Sequence, residues 1–188
     1  ITIENDRIIA IDGGLFPADE QKYADDNTRV IDATGKFIMP GFIDAHSHLG
    51  TPTHVYGGAL TDPTYVFKLQ LAHGITTVRD AGSLMGLKWT VNQKTLSDKG
   101  KISAPRINAY ALFPVKKKGA DGIKFLGSAP SLIKAAIAEA KKLKMGTAYH
   151  HSQMSVTRMT ALDSARLGLD SLEHWYGLPE AMFNDKRV

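Results

Sequence analysis

Four stretches of the chain carry side chains that could hold a metal ion. His46 and His48 stand two apart, where the apolar run Phe37-Ile38-Met39-Pro40-Gly41-Phe42-Ile43 leads into Asp44-Ala45-His46-Ser47-His48. Successive side chains on a strand alternate faces, so both imidazoles point the same way and two neutral ring nitrogens can reach one cation. A bare His-x-His is weak evidence in a chain with 7 histidines. The apolar run strengthens it, because two polar rings at the end of a packed strand are costly unless something binds them. Lys124 lies in Gly122-Ile123-Lys124-Phe125-Leu126, with apolar neighbours on the alternate positions. His150 and His151 are adjacent, so on a strand they face opposite sides, and either is a candidate ligand. His174 follows Ser171-Leu172-Glu173. Asp44 shares the face of His46 and His48 and is placed to orient one of them. Arg79 and Asp80 end another apolar run as an ion pair supporting the site or as substrate contacts. His54 and His73 carry no motif; His73 precedes a helix-ending glycine, where a cation suits the helix dipole.

The elements that must position these residues alternate strand with helix. Strands are predicted over 42–48, 75–79, 106–112, 122–126, 146–150 and 170–173. Helices are predicted over 63–73, with Asp62 as N-cap, Pro63 at the first position and Gly74 past the end, over 131–144 on an apolar stripe, and over 157–167 before Gly168. Alternation of this kind predicts an α/β fold with a parallel sheet. Residues 1–40 read instead as short strands, among them 7–11 and 30–33, broken by turns at Asp12-Gly13-Gly14 and Thr34-Gly35-Lys36. One connection is too short. Fewer than ten residues separate the strand ending near Leu112 from the one beginning near Gly122, and a parallel crossover needs about a dozen or more. A segment missing near 114–115 is therefore expected.

Composition narrows the function classes. The chain has 188 residues, 43% hydrophobic and 22% charged, ordinary values for a globular domain with a sizeable core. The net charge of +4 draws on Lys116-Lys117-Lys118 and on Lys141, Lys142 and Lys144. Both groups flank predicted strands and helices without interleaved aromatic residues, so they read as solvated faces and no nucleic-acid partner is expected. No cysteine is present, which excludes disulfides and Cys-ligated zinc. No apolar stretch approaches the roughly 20 residues of a membrane span. Localisation is not indicated, and a homo-oligomer is left open.

Taken in order, these segments resemble the amidohydrolase superfamily. Met39-Pro40-Gly41-Phe42-Ile43-Asp44-Ala45-His46-Ser47-His48 is similar to its first-strand signature. Gly74-Ile75-Thr76-Thr77-Val78-Arg79-Asp80 is similar to its second strand. Gly119-Ala120-Asp121-Gly122-Ile123-Lys124 resembles the fourth strand of the branch that carries a carboxylated lysine, and Ser171-Leu172-Glu173-His174 resembles the sixth. The match runs from about Val30 to His174, and its flavour is prolidase-like and imidazolonepropionase-like. Four motifs in the right order are far more specific than any one of them.

The resemblance implies a TIM-like (β/α)8 barrel, here incomplete with strands 1–6 over 41–188, and a small N-terminal β-sandwich portion over 1–40. It implies two divalent metal ions, zinc favoured by nitrogen and oxygen ligation, held by His46, His48, Lys124, His150 and His174. The family pattern counts its strand-five ligand at His150, which leaves His151 in the loop above as a substrate contact or as a group supporting the ligands. An ammonium about 4 Å from a divalent ion would be repelled by roughly 8 kcal/mol at an effective dielectric of 20. The lysine is therefore neutral, outside the site, or a carbamate formed with carbon dioxide, which is the family's solution. The implied reaction is hydrolysis of a C–N bond in an amide, peptide or cyclic amide by metal-activated hydroxide. Alternatives are an ester, lactone or phosphotriester substrate, or a non-catalytic relative. The family's general acid–base aspartate, from an eighth strand, is expected beyond Val188 in a longer natural protein; Asp163, Asp170 and Asp185 are not placed to substitute.

Overall fold

The computed structural model describes residues 1–11, 27–50, 62–112 and 116–183. The chain divides into two units, Ile1–Pro40 and Gly41–Val188. In the first unit, β1 (Thr2–Glu4) and β2 (Arg7–Ala10) pair antiparallel around a tight turn. Asn5 at that turn has φ +56°, a left-handed conformation that Asn tolerates better than most residues. The strand expected over 30–33 is not formed. Asp32 Oδ1 accepts from the Thr34 amide at 2.8 Å and Lys36 N–H donates to Ala33 O at 2.9 Å. A local side-chain turn therefore takes up backbone groups that a ladder would need. The turn read at Asp12-Gly13-Gly14 lies outside the described residues.

The second unit is a parallel sheet of six strands whose order in space is their order in sequence: β3 (Phe42–Ser47), β4 (Ile75–Asp80), β5 (Arg106–Ala111), β6 (Gly122–Leu126), β7 (Gly146–His150) and β8 (Ser171–Glu173). Helices α1 (Pro63–Ala72), α2 (Leu87–Asp98), α3 (Pro130–Lys142) and α4 (Ala161–Arg166) alternate with the strands, and α5 (Leu178–Ala181) follows β8. The architecture is α/β, part of a TIM-like barrel.

Local chemistry explains the boundaries. Asp62 caps α1 by accepting from Thr64 N at 2.9 Å, with Pro63 inside the first turn, and Gly74 follows in a left-handed conformation. The helix expected over 157–167 begins only at Ala161. Thr160 and Asp163 form a reciprocal capping box that fixes the start there. Sequence pattern alone missed α2. Its N-cap is Gly86, without a side-chain cap, and its apolar residues form no continuous stripe. Tertiary contacts hold it instead: Trp89 packs on the cluster of Leu49, Phe67, Val78 and Ile107, and Thr90 bonds to β4.

The core lies between the sheet and the helices. Ile123, Ile133, Ile137, Met145 and Tyr149 join β6, β7 and α3. Full burial of each large apolar side chain contributes about 1.5–3 kcal/mol. The interior face of the sheet is polar by contrast. The β5–β6 connection holds a short 3-10 turn, Lys116–Lys118, and the segment expected to be missing near 114–115 falls at residues outside those described.

Candidate metal centre

Strand register decides which side chains share the interior. Lys124 pairs with Ala148, Leu126 with His150, and His150 with Glu173. Because faces alternate and neighbouring strands keep phase, Lys124, His150, Ser171 and Glu173 lie on one face. Arg79 pairs with Asn108, and Tyr110 with Gly122, on that same face. Tyr110 lies across Gly122 and Gly146, where a Cβ at either position would meet its ring. Gly122 and Gly146 thus make room for a large polar side chain inside the sheet.

His174 breaks the alternation. Glu173 already faces inward, so a regular strand would turn His174 outward. Its φ of +62° is left-handed, unusual for a residue with a Cβ, and it swings the ring back over the site. The His174 ring centroid then stands 4.7 Å from that of His46 and 4.8 Å from that of His150. Tyr176 packs beside His150 at 5.3 Å.

The geometry of His46 and His48 is specific. His48 Nδ1 meets the carbonyl oxygen of Gly82 at 2.9 Å. A carbonyl only accepts, so Nδ1 donates, and in the neutral form of the ring Nε2 is the nitrogen with the lone pair. His46 Nδ1 meets Glu173 Oε2, and burial of the ring lowers its proton affinity below that of an ordinary histidine, against the opposing pull of Glu173. The two Nε2 atoms face each other at 3.1 Å. Asp44 does not orient either ring; its Oδ1 accepts from the backbone N–H of His46 at 3.0 Å.

Lys124 is 1% exposed, and its Nζ has no hydrogen-bond partner among the described residues. The carboxylate oxygen Oε2 of Glu173 stands 3.8 Å away. Burial, with a smaller push from Arg79, brings its ammonium down to about 8 against the pull of Glu173. Glu173 itself is 3% exposed and accepts from Arg79 Nη2 and Ser171 Oγ. Burial alone would raise its carboxyl, but the hydrogen bonds from Ser171 and His46 and the charges of Lys124 and Arg79 outweigh it and hold it below the usual range. Sequence reasoning assigned Glu173 no role; the signal available was its place one residue before His174.

Arg79 and Asp80 separate. Arg79 turns inward, donates through Nε to Ala45 O at 2.6 Å and lies over the Tyr110 ring at 5.2 Å. Asp80 turns outward beneath α2, accepting from Thr90 Oγ1 at 2.7 Å and Leu49 N at 3.2 Å. Burial pushes its carboxyl up to about 6, against those two hydrogen bonds. The adjacent histidines also separate. His150 joins the ring cluster, and burial, then the neighbouring His174 and Lys124, lowers its proton affinity. His151 is fully buried on the other side. Its Nε2 lies 2.9 Å from Ser164 Oγ, its ring stacks on Tyr149 at 3.8 Å, and burial brings it down to about 4. It therefore stands apart from the rings of His46, His150 and His174, where a substrate contact would need to be. His73 caps α1 through Nδ1 to Leu69 O at 2.8 Å, while His54 and Asp185 lie outside the described residues.

Among the described residues, no three His, Asp or Glu side chains stand ready-made around a single point. His150 and His174 pack ring against ring, and Glu173 is held by Arg79. The donor chemistry nevertheless suits a divalent ion. Two imidazole nitrogens converge, the ring of His174 lies 4.7 Å from that of His46 and 4.8 Å from that of His150 centroid to centroid, and a buried amine lacks a hydrogen bond.

The sequential parallel β/α sheet is that of a partial TIM-like barrel, and its imidazoles gather towards the C-terminal strand ends, where barrel proteins carry their sites. No family model matches the chain. It is 27% identical over 126 residues to the imidazolonepropionase of Alkaliphilus metalliredigens, covering 65% of this chain and 28% of that protein. It is 31% identical over 107 residues to a probable imidazolonepropionase of Dictyostelium discoideum, covering 53% of this chain and 22% of that one. A crystal structure of a prolidase complexed with N-methylphosphonate-L-proline superposes with a TM-score of 0.58 at 22% identity, covering 79% of this chain and 50% of that chain. The matched segments thus span half or less of these relatives. These likenesses in sequence, and the shared fold, support a relationship to the amidohydrolase superfamily.

Proposed function

We propose that the protein is a metal-dependent hydrolase that cleaves a C–N bond in a small amide, peptide or cyclic amide. The observation that carries this reading is the facing pair of Nε2 atoms on His46 and His48, 3.1 Å apart, with the other nitrogen of each ring already engaged. Two ring nitrogens held that close are placed to share one cation. The relatives named imidazolonepropionase and prolidase support the substrate class. The barrel unit Gly41–Val188 carries the site in this reading, and residues 1–40 contribute part of a small β-sandwich.

His46, His48, His150 and His174 would hold two divalent ions, zinc favoured, with Lys124 as a bridging carbamate. Such ions supply Lewis-acid polarisation of a carbonyl and acidify water towards neutrality. The chain's own residues do the rest. Gly82 O and Glu173 hold the first two imidazoles in place. The low-affinity amine of Lys124 is neutral above about pH 8, the form that adds to carbon dioxide. The N–C bond would form as one C=O π bond of carbon dioxide breaks, its electron pair going to oxygen, and the nitrogen would lose one proton to solvent, giving an anion where an ammonium would repel the metals.

The test is metal removal and return on the protein, assayed against a panel of N-acyl amino acids, dipeptides and cyclic amides alongside esters. Hydrolysis of an amide that chelation abolishes and zinc restores is the expected result. Bound metal with hydrolysis of esters alone would overturn the C–N assignment.

A further inference from the structure

We infer that Glu173 is a positioning residue for His46: by accepting its Nδ1–H it fixes the ring in the tautomer that turns a bare Nε2 towards His48. The inference rests on the metal-centre reading for its purpose but not for its geometry. Glu173 sits where four strands meet. Arg79 of β4 donates to Oε1, Ser171 of β8 donates to the same oxygen, and His46 of β3 and Lys124 of β6 lie against Oε2. A carboxylate held by a guanidinium has no proton to give. Of two groups in contact, the one that can donate is then His46, through Nδ1. The backbone does the same for His48, where Gly82 O accepts from Nδ1 at 2.9 Å. Two unrelated acceptors, one a side chain from β8 and one a carbonyl after β4, thus impose the same tautomer on two rings whose Nε2 atoms stand 3.1 Å apart. A carboxylate serving only to neutralise Arg79 would need no contact with His46. Its burial at 3% exposure, with both oxygens engaged, leaves it little freedom to turn away.

Glu173→Gln discriminates between these roles. Arg79 would keep the amide oxygen, so the NH2 group would face His46 and donate to Nδ1. The tautomer would reverse, with the proton on Nε2. Imidazole 15N spectra of the metal-free protein at about pH 8 report this directly. The wild type is expected to show His46 as neutral Nδ1–H, and Glu173→Gln to show Nε2–H with zinc affinity weakened about 10–100-fold. A wild-type spectrum showing Nε2–H or imidazolium for His46 would overturn the assignment even if the variant failed to fold. So would a folded Glu173→Gln protein that keeps Nδ1–H and wild-type zinc affinity. An Nδ1–H wild type that binds no zinc would support the orienting role of Glu173 while removing the metal-centre reading, so the two fail separately.

Discussion

Arg79 on β4 and Glu173 on β8 form an ion pair inside the sheet between residues 94 apart in sequence. Arg79 also donates to Ala45 O beside the first histidine motif. Removing one partner of a buried pair leaves the other charge uncompensated, at a cost of about 3–5 kcal/mol. Arg79→Met is therefore expected to lower unfolding stability by that amount in urea titrations, and Arg79→Met combined with Glu173→Gln by clearly less than the sum of the single effects. Additive losses would mean the pair is not coupled.

Asp80 predicts a pH dependence. Folded, its carboxyl keeps its proton up to about pH 6, whereas an unfolded aspartate releases it near 4. Between those values the unfolded chain has lost a proton that the folded chain retains. Stability therefore falls as pH rises through this window, by roughly 2–3 kcal/mol, and the penalty is complete above it. In Asp80→Asn the amide cannot ionise, so the wild-type-minus-variant difference in stability should change by that amount between pH 4 and 6. A difference that stays flat across the window would show that the buried carboxyl ionises normally.

Lys124 predicts carbon dioxide uptake. With 13C-labelled bicarbonate and zinc above about pH 8, a carbamate resonance is expected in the wild type and absent in Lys124→Met. The variant is also expected to hold at most one ion per chain, partly restored by short carboxylic acids. Retention of both ions by Lys124→Met would remove the bridging role.

The two adjacent histidines predict opposite phenotypes. His150→Asn should leave the metal-free fold near wild-type stability and weaken zinc binding. His151→Ala should destabilise the fold by about 2–4 kcal/mol through the emptied space beneath α4, with zinc affinity of the folded fraction unchanged. Thermal melts and zinc titrations on both proteins separate the roles, and weaker zinc binding by folded His151→Ala would reverse the assignment.

Sequence pattern located most of the frame because the signals were local. Apolar strands β6 and β7 matched residue for residue, and Asp62-Pro63 with Gly74 bounded α1. Helix α2 escaped because it lacks both a stripe and a side-chain cap, and its stability comes from Trp89 and Thr90 meeting distant strands. Within the site, face alternation separated His150 from His151 in principle, yet the strand register was needed to say which faced Lys124. Alternation misleads at His174, where a left-handed backbone lets neighbours Glu173 and His174 both reach the interior. The role of Glu173 was out of reach for the same reason: its partners on β3, β4 and β6 are known only once the sheet is built.

A zinc titration of the metal-free protein, with its His46→Asn and His48→Asn variants, tests the metal centre most directly. The wild type is predicted to take up at least one ion tightly, and each variant to bind about a hundredfold more weakly or not at all, with its metal-free melting temperature little changed. Less than one ion per wild-type chain, or wild-type affinity in both variants, would contradict the account.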